Sequence, residues 1–246
     1  MDAEKSKYGP VRVEDVRASV QGSLDRLGFV PDLYLIHNPF VPPPGQLKAF
    51  WKVLEDLKDE GKLKSIGVSN FRPQDLEEIL DGAKHKPVVN QVEFHPYTLV
   101  HLEPVLAIHA KHGILTTSYG PLTPVLRHPT GGPLKPVLER IALRLTEKYG
   151  EKIDASVVLL LWTKAQGVVA VTTSANEERI KGLAEVYKSD WELEKDEVEE
   201  ITKIGKTIHY RHYVSRMFFG GIRRISSTEQ TEHMETDFPV PDLPNA

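Results

Sequence analysis

The chain has 246 residues, with 31 Lys plus Arg against 35 Asp plus Glu and a formal net charge of -4 at pH 7. That length suits one domain with a sizeable core, and the slightly acidic balance lacks the basic footprint of a nucleic-acid partner. There is no cysteine, which excludes disulfides and thiolate chemistry and agrees with a reducing compartment; the polar start MDAEKSKYGP has no signal-peptide core and no stretch approaches 18 apolar residues, so a cytoplasmic protein with no membrane partner is expected.

Taken in order, Val13, Val16, Val20, Leu24 and Leu27 recur at helical spacing and Gly28 stands at a C-terminal cap, which predicts a helix over about 12–27. The stretch DLYLIHNP follows. Leu33 to Ile36 form a continuous apolar run, the pattern of a strand covered on both faces, and His37 is its exit. After a Pro-rich loop, Leu47, Phe50, Trp51, Leu54 and Leu57 make a second helix that stops at Gly61. KSIGVSNF supplies a short strand ending in Ser69 and Asn70, and Pro73 opens a third helix with Leu76, Ile79 and Leu80. A strand from Val88 to Glu93, a helix running to about His112 and a strand ending at Tyr119 come next.

From Gly120 to Pro136 the chain is rich in Gly and Pro, and it reads as a loop too long for a mere connection. Val137, Ile141, Leu145 and Tyr149 mark a helix, Ala155 to Lys164 another, and GVVAVTTS a fifth strand ending near Ser174. Helices from about Glu177 and around Leu193 to Ile204 close the pattern, the second acidic at its start and basic at its end, as the helix dipole favours. Beyond Arg211 the periodicity stops, which divides the chain into a domain at 1–213 and a tail at 214–246.

Strands alternating with helices imply right-handed crossovers and a parallel α/β sheet, either a closed barrel or an open doubly wound sheet. Five strands are expected, at about 32–37, 64–69, 88–93, 114–119 and 167–172. In such sheets ligands sit at the carboxyl ends of the strands, where this sequence places His37, Ser69, Asn70, Gln91 and Tyr119. Taken singly, each has a plainer reading: Ser69 and Asn70 as a helix-capping pair, Gln91 as a satisfied strand end, Tyr119 as core and Arg179 as a solvated helix face. Glu93 with His95, and His209 with His212, lack a third ligand, so no metal is expected.

The ordered set DLYLIHNP, GVSNF, QVEFHP, SYGPL and TTSANEERI resembles the aldo-keto reductases, most of all fungal members whose cofactor loop reads TTS. The resemblance implies a TIM-type (β/α)8 barrel of which about five of eight strands are present, with the first three strand and helix units missing. It also implies NADPH-dependent reduction of aldehydes or ketones. On that likeness His37 is the active-site histidine that orients the substrate carbonyl. Ser69, Asn70 and Gln91 hydrogen-bond the nicotinamide carboxamide, Tyr119 stacks on the nicotinamide, and Leu122 lies near the pyrophosphate loop. Ser174 and Arg179 hold the 2'-phosphate, a task that suits the donor fork of arginine.

The departures are as specific as the matches. The aspartate, tyrosine and lysine that accompany the histidine in the family have no counterpart at the expected spacing, and Tyr8 is out of context. Asn38, Thr173, Gly182 and Leu183 replace residues that relatives often carry as Trp, Lys, Glu and Asn. Two function classes follow: an NADPH-dependent oxidoreductase acting on a small carbonyl substrate, or a non-catalytic relative that binds a nucleotide or a partner. Strand edges left open by an incomplete barrel predict an oligomer or a completing partner.

Overall fold

The computed structural model describes residues 10–213, so Tyr8 and the tail expected at 214–246 lie outside the described residues. The described residues divide into two compact units, one of 10–92 with Pro104–Thr116, the other of Glu93–Glu103 with 117–213.

In the first unit the expected opening helix is in two parts. A 3-10 turn at Val13–Asp15 leads into α1 (Val16–Leu27), which buries Val16 and Val20 and ends at Gly28 with a left-handed φ of 72°. Strand β1 (Leu33–Ile36) pairs in parallel with β2 (Ser65–Ser69), Leu33 opposite Ser65 and Ile36 opposite Val68; β2 pairs in parallel with β3 (Val89–Glu93), Val68 opposite Asn90. Helix α2 (Leu47–Asp59) turns Leu47, Phe50, Trp51, Leu54 and Leu57 inward, and α3 (Pro73–Leu80) adds Leu76 and Ile79. These side chains meet Ile66, Val68 and Phe71 in one apolar core, in which burial of each large aliphatic contributes about 1.5–3 kcal/mol. Gly67 lets β2 lie close between its neighbours: a Cβ there would fall 2.8 Å from Leu35 Cδ2 and 2.9 Å from the Val89 carbonyl oxygen.

Helix α4 (Leu99–His112) precedes β4 (Leu115–Tyr119). In the second unit, the Gly120–Pro136 segment is not the open loop its composition suggests. It folds α5 (Thr123–Leu126) and a 3-10 turn at Gly132–Leu134, and α6 (Lys135–Tyr149) starts two residues earlier than expected, with prolines at first-turn positions where no N–H is needed. Tyr97 holds the segment, its hydroxyl donating to the Gly131 carbonyl at 2.7 Å and accepting from Leu134 N at 3.0 Å.

Helix α7 (Ala155–Ala165) is capped by Asp154, which accepts from Ser156 N and Val157 N, and is buried along Val158 to Thr163. The expected fifth strand is shorter, β5 at Val169–Val171, followed by α8 (Glu177–Lys188) and α9 (Lys195–Gly205). Phe94 stacks on Trp162 at 5.5 Å, Trp162 Nε1 donates to Thr202 on α9 at 3.0 Å, and Arg144 on α6 grips Glu197 on α9 with two bonds of 2.6 Å.

The five strands lie in one sheet in the order β1-β2-β3-β4-β5, parallel throughout and with helical connections, which is a partial (β/α)8-barrel wall of the α/β class. β1 and β5 are its edges, and Leu33, Val169 and Val171 are exposed there. Among the described residues no helix is long and apolar enough to cross a membrane.

Candidate active site and cofactor-binding residues

The carboxyl ends of β1, β2 and β3 converge through Asn70. Its backbone takes a left-handed φ of 60°, the one positive φ outside glycine among the described residues. Such a conformation costs a non-glycine residue about 1–2 kcal/mol, least for Asn, so other bonds must hold it. They are present. Asn70 N donates to the Gln91 carbonyl at 2.8 Å, and Asn70 Nδ2 donates to the His37 carbonyl at 3.1 Å and to Ser69 Oγ at 3.0 Å. Ser69 Oγ donates to the Gln91 carbonyl at 2.8 Å. Ser69 and Asn70 therefore do not cap α3; Arg72 does, with Asp75 accepting from Arg72 N at 2.9 Å. These bonds bring Ser69, Asn70, Gln91 and the His37 backbone together. The His37 side chain, by contrast, is exposed beyond the edge strand and has no hydrogen-bond partner among the described residues.

Sequence reasoning missed the support beneath this set. Asn90, fully buried, accepts from Phe71 N at 3.3 Å and donates to the Phe71 carbonyl at 3.0 Å, fixing the backbone that follows Asn70. Its remaining amide proton points to His109 Nε2 at 3.0 Å, which leaves His109 Nδ1 to donate to Thr116 Oγ1 at 2.9 Å. Burial pushes His109 down to about 4, in keeping with this neutral tautomer. A buried Asn between Val89 and Val92, in a strand that also carries Gln91 and Glu93, left no periodic signal that could have singled it out.

In the second unit Tyr119 closes β4 as a half-buried ring, its hydroxyl pushed up to about 12 by burial. Tyr213 stands edge-on to it at 5.4 Å and 79°. Leu122 is buried at the start of α5, where it is the N-cap residue. Beyond β5 an open cavity of about 440 Å³ is lined by Ala170, Val171, Thr172, Thr173, Ser174, Ile180, Leu183 and Ala184. Ser174 Oγ accepts from Asn176 N at 3.1 Å, and Asn176 caps α8 by accepting from Arg179 N at 2.9 Å. Ser174 thus lies in the cavity lining. Arg179 is exposed on the first turn of α8 and outside that lining, and Glu177 and Glu178 share its turn.

The Glu93 and His95 pair, together with His209 and His212, forms a structural polar cluster. Glu93 is fully buried and accepts from His95 Nε2 and Arg211 Nε, each at 3.2 Å, from His212 N at 2.8 Å and from Tyr213 N at 3.4 Å. Burial alone would raise the Glu93 pKa, but the bond and charge of His95, with Arg211 and the His212 N–H, hold it below the ordinary carboxylate range. His209 stacks on His101 at 3.7 Å. Among the described residues there is no group of three or more His, Cys, Asp or Glu placed to hold a metal.

Comparison with known proteins points one way. The Aldo/keto reductase family model matches residues 3–206. An NADPH-dependent alpha-keto amide reductase of Saccharomyces cerevisiae is 36% identical over 205 residues, a match covering 81% of this chain and 64% of that protein. An NAD/NADP-dependent indole-3-acetaldehyde reductase of Schizosaccharomyces pombe is 33% identical over 208 residues, covering 83% and 70%. Against the first of these the chain spans less than two thirds of the relative's length. Among solved structures, an aldo/keto reductase from Brucella melitensis superposes with a TM-score of 0.64 at 31% identity, covering 80% of this chain and 69% of that one.

Proposed function

This chain belongs to the aldo/keto reductase family, and from that premise we propose that it binds NADPH and acts on the carbonyl group of a small aldehyde or ketone. The observation that carries the reading is the bonded set at Ser69, Asn70 and Gln91, where a strained backbone is held by hydrogen bonds at the end of parallel strands. Amide and hydroxyl groups of that kind supply both the donors and the acceptors that a carboxamide requires. Tyr119 offers an aromatic face of the right type for the nicotinamide, and Ser174, Thr173 and Thr172 line a cavity whose apolar residues Ile180 and Leu183 suit an adenine ring. Arg179, on the first turn of α8 and a few residues past Ser174, supplies charge for the 2'-phosphate, partly offset by Glu177 and Glu178. The residues present therefore fit the cofactor. NADPH, when bound, supplies the hydride.

His37 is the group assigned to the carbonyl, orienting it by hydrogen bonding as negative charge gathers on its oxygen. With no aspartate, tyrosine and lysine at the spacing of the family's site, His37 is the one proton donor assigned here, and turnover below about 1 s⁻¹ is the expected outcome. A second reading, a non-catalytic relative that binds the nucleotide alone, is favoured by the exposure of His37 beyond the edge strand.

Fluorescence titration with NADPH and NADH tests the binding claim. A charge-assisted contact of about 1.5–3 kcal/mol to the 2'-phosphate predicts at least about tenfold tighter binding of NADPH. Equal affinity for the two would remove Ser174 and Arg179 from the site, and no affinity for either would end the proposal. NADPH oxidation with an aromatic aldehyde then separates the two readings: slow turnover lost in His37→Ala supports the enzyme, and none at all supports the binding relative.

A further inference from the structure

We infer that Arg211–Tyr213, clasped to the buried carboxylate of Glu93, is a positioning device for Tyr119, the ring assigned above to the nicotinamide; the inference rests on that assignment. A carboxylate withdrawn from water is costly unless its charge is answered by donors. Three of the four donors that reach Glu93 come from this one segment, Arg211 Nε, His212 N and Tyr213 N, 118 to 120 residues away along the chain. The fourth, His95 Nε2, comes from the strand end itself. Tyr210 fastens the segment on its other side, its N donating to the Tyr97 carbonyl at 3.2 Å and its hydroxyl to the Arg127 carbonyl at 2.8 Å.

The fastened segment delivers two groups to Tyr119. The Tyr213 ring meets the Tyr119 ring edge-on at 5.4 Å and lies so close to Gly120 that a Cβ there would fall 2.8 Å from Tyr213 Cε2. Arg211, held by Glu93, also acts electrostatically on the Tyr119 hydroxyl. The Tyr119 ring is therefore packed against a residue whose own position depends on Glu93. A ring fixed in this way presents a stacking partner with one orientation and little entropy left to lose. None of this is needed to close the hydrophobic core, which in this unit is supplied by Phe94, Trp162 and the apolar faces of α6 and α7.

The test compares a ligand that has a nicotinamide with one that does not. NADPH and adenosine 2',5'-bisphosphate are titrated against the full chain, Tyr213→Ala, Tyr213→Phe and Glu93→Gln. Tyr213→Ala and Glu93→Gln are expected to weaken NADPH by about fivefold, the scale of one lost edge-to-face pair, and to leave the bisphosphate unchanged. Tyr213→Phe keeps the ring and should retain native affinity for both. A purely structural role would weaken both ligands together, and that result overturns the inference, as does unchanged or tighter NADPH binding in Tyr213→Ala. If the native chain binds the bisphosphate but NADPH no more tightly, the assignment of Tyr119 fails and the clasp has no such role. If it binds neither ligand, the functional reading itself fails and takes the inference with it.

Discussion

At the scale of single residues, Asn70 carries two demands that no other side chain meets together: tolerance of a left-handed φ, and an amide that bonds both the His37 carbonyl and Ser69 Oγ. Asn70→Ala should lose about 2 kcal/mol of stability, part from φ and part from the bonds, and should bind NADPH more weakly. Asn70→Gly relieves φ but not the amide, so it should recover about half of the stability and none of the affinity. Thermal unfolding and NADPH titration read the two effects separately, and native affinity in the glycine variant would show that the amide takes no part in binding. Buried histidines set a second expectation. Burial pushes His109 down to about 4, and burial with the neighbouring His101 pushes His209 down to about 3. An unfolded imidazole titrates near about 6.5, so between these values the unfolded chain binds protons that the folded chain does not. Stability is complete above about pH 6.5 and is lost as pH falls towards about 4, by on the order of 1–2 kcal/mol for each residue. Melting temperatures from pH 7.5 to 5 check this, and His109→Gln should show a flatter fall; an equal slope would refute the role of His109.

At the scale of elements, glycines with equal freedom in the sequence have opposite roles. Gly67 sits where β2 is flanked by Leu35 and by the Val89 backbone, and a backbone oxygen 2.9 Å from the added Cβ cannot swing aside. Gly67→Ala should cost about 1–3 kcal/mol by overpacking. Gly182, in α8, has nothing within 4 Å of its added Cβ, so Gly182→Ala should add about 0.5–1 kcal/mol through helix propensity. Urea unfolding of both variants measures the contrast; stabilisation by Gly67→Ala would mean that the strands separate more easily than their register implies.

At the scale of the whole molecule, the described sheet ends in β1 and β5, with Leu33, Val169 and Val171 exposed. Unpaired strand edges with apolar side chains favour pairing with another chain, and lysine on an edge opposes it. Light scattering should therefore show concentration-dependent association that Val169→Lys and Val171→Lys together reduce. A mass equal to one chain at all concentrations, unchanged by these substitutions, would contradict it.

The sequence alone determined the strands and helices, because alternation of apolar runs with 3.6-residue periodicity records which side of a local segment is buried. It also placed polar residues at the strand ends, so Ser69, Asn70, Gln91 and Tyr119 were legible before any fold was known. Even the Gly and Pro rich stretch at 120–136 misled only because its order comes from Tyr97, far back in the chain. Only the tertiary structure decided what each polar group does. Ser69 and Asn70 tie strands together and do not cap α3, and Arg179 lies outside the cavity that Ser174 lines. Asn90 pins Phe71 across 19 residues, and Glu93 receives Arg211 across 118. Periodicity carries no trace of such pairs: a buried donor and its acceptor must meet in space, and their separation along the chain is whatever the intervening strands and helices happen to need.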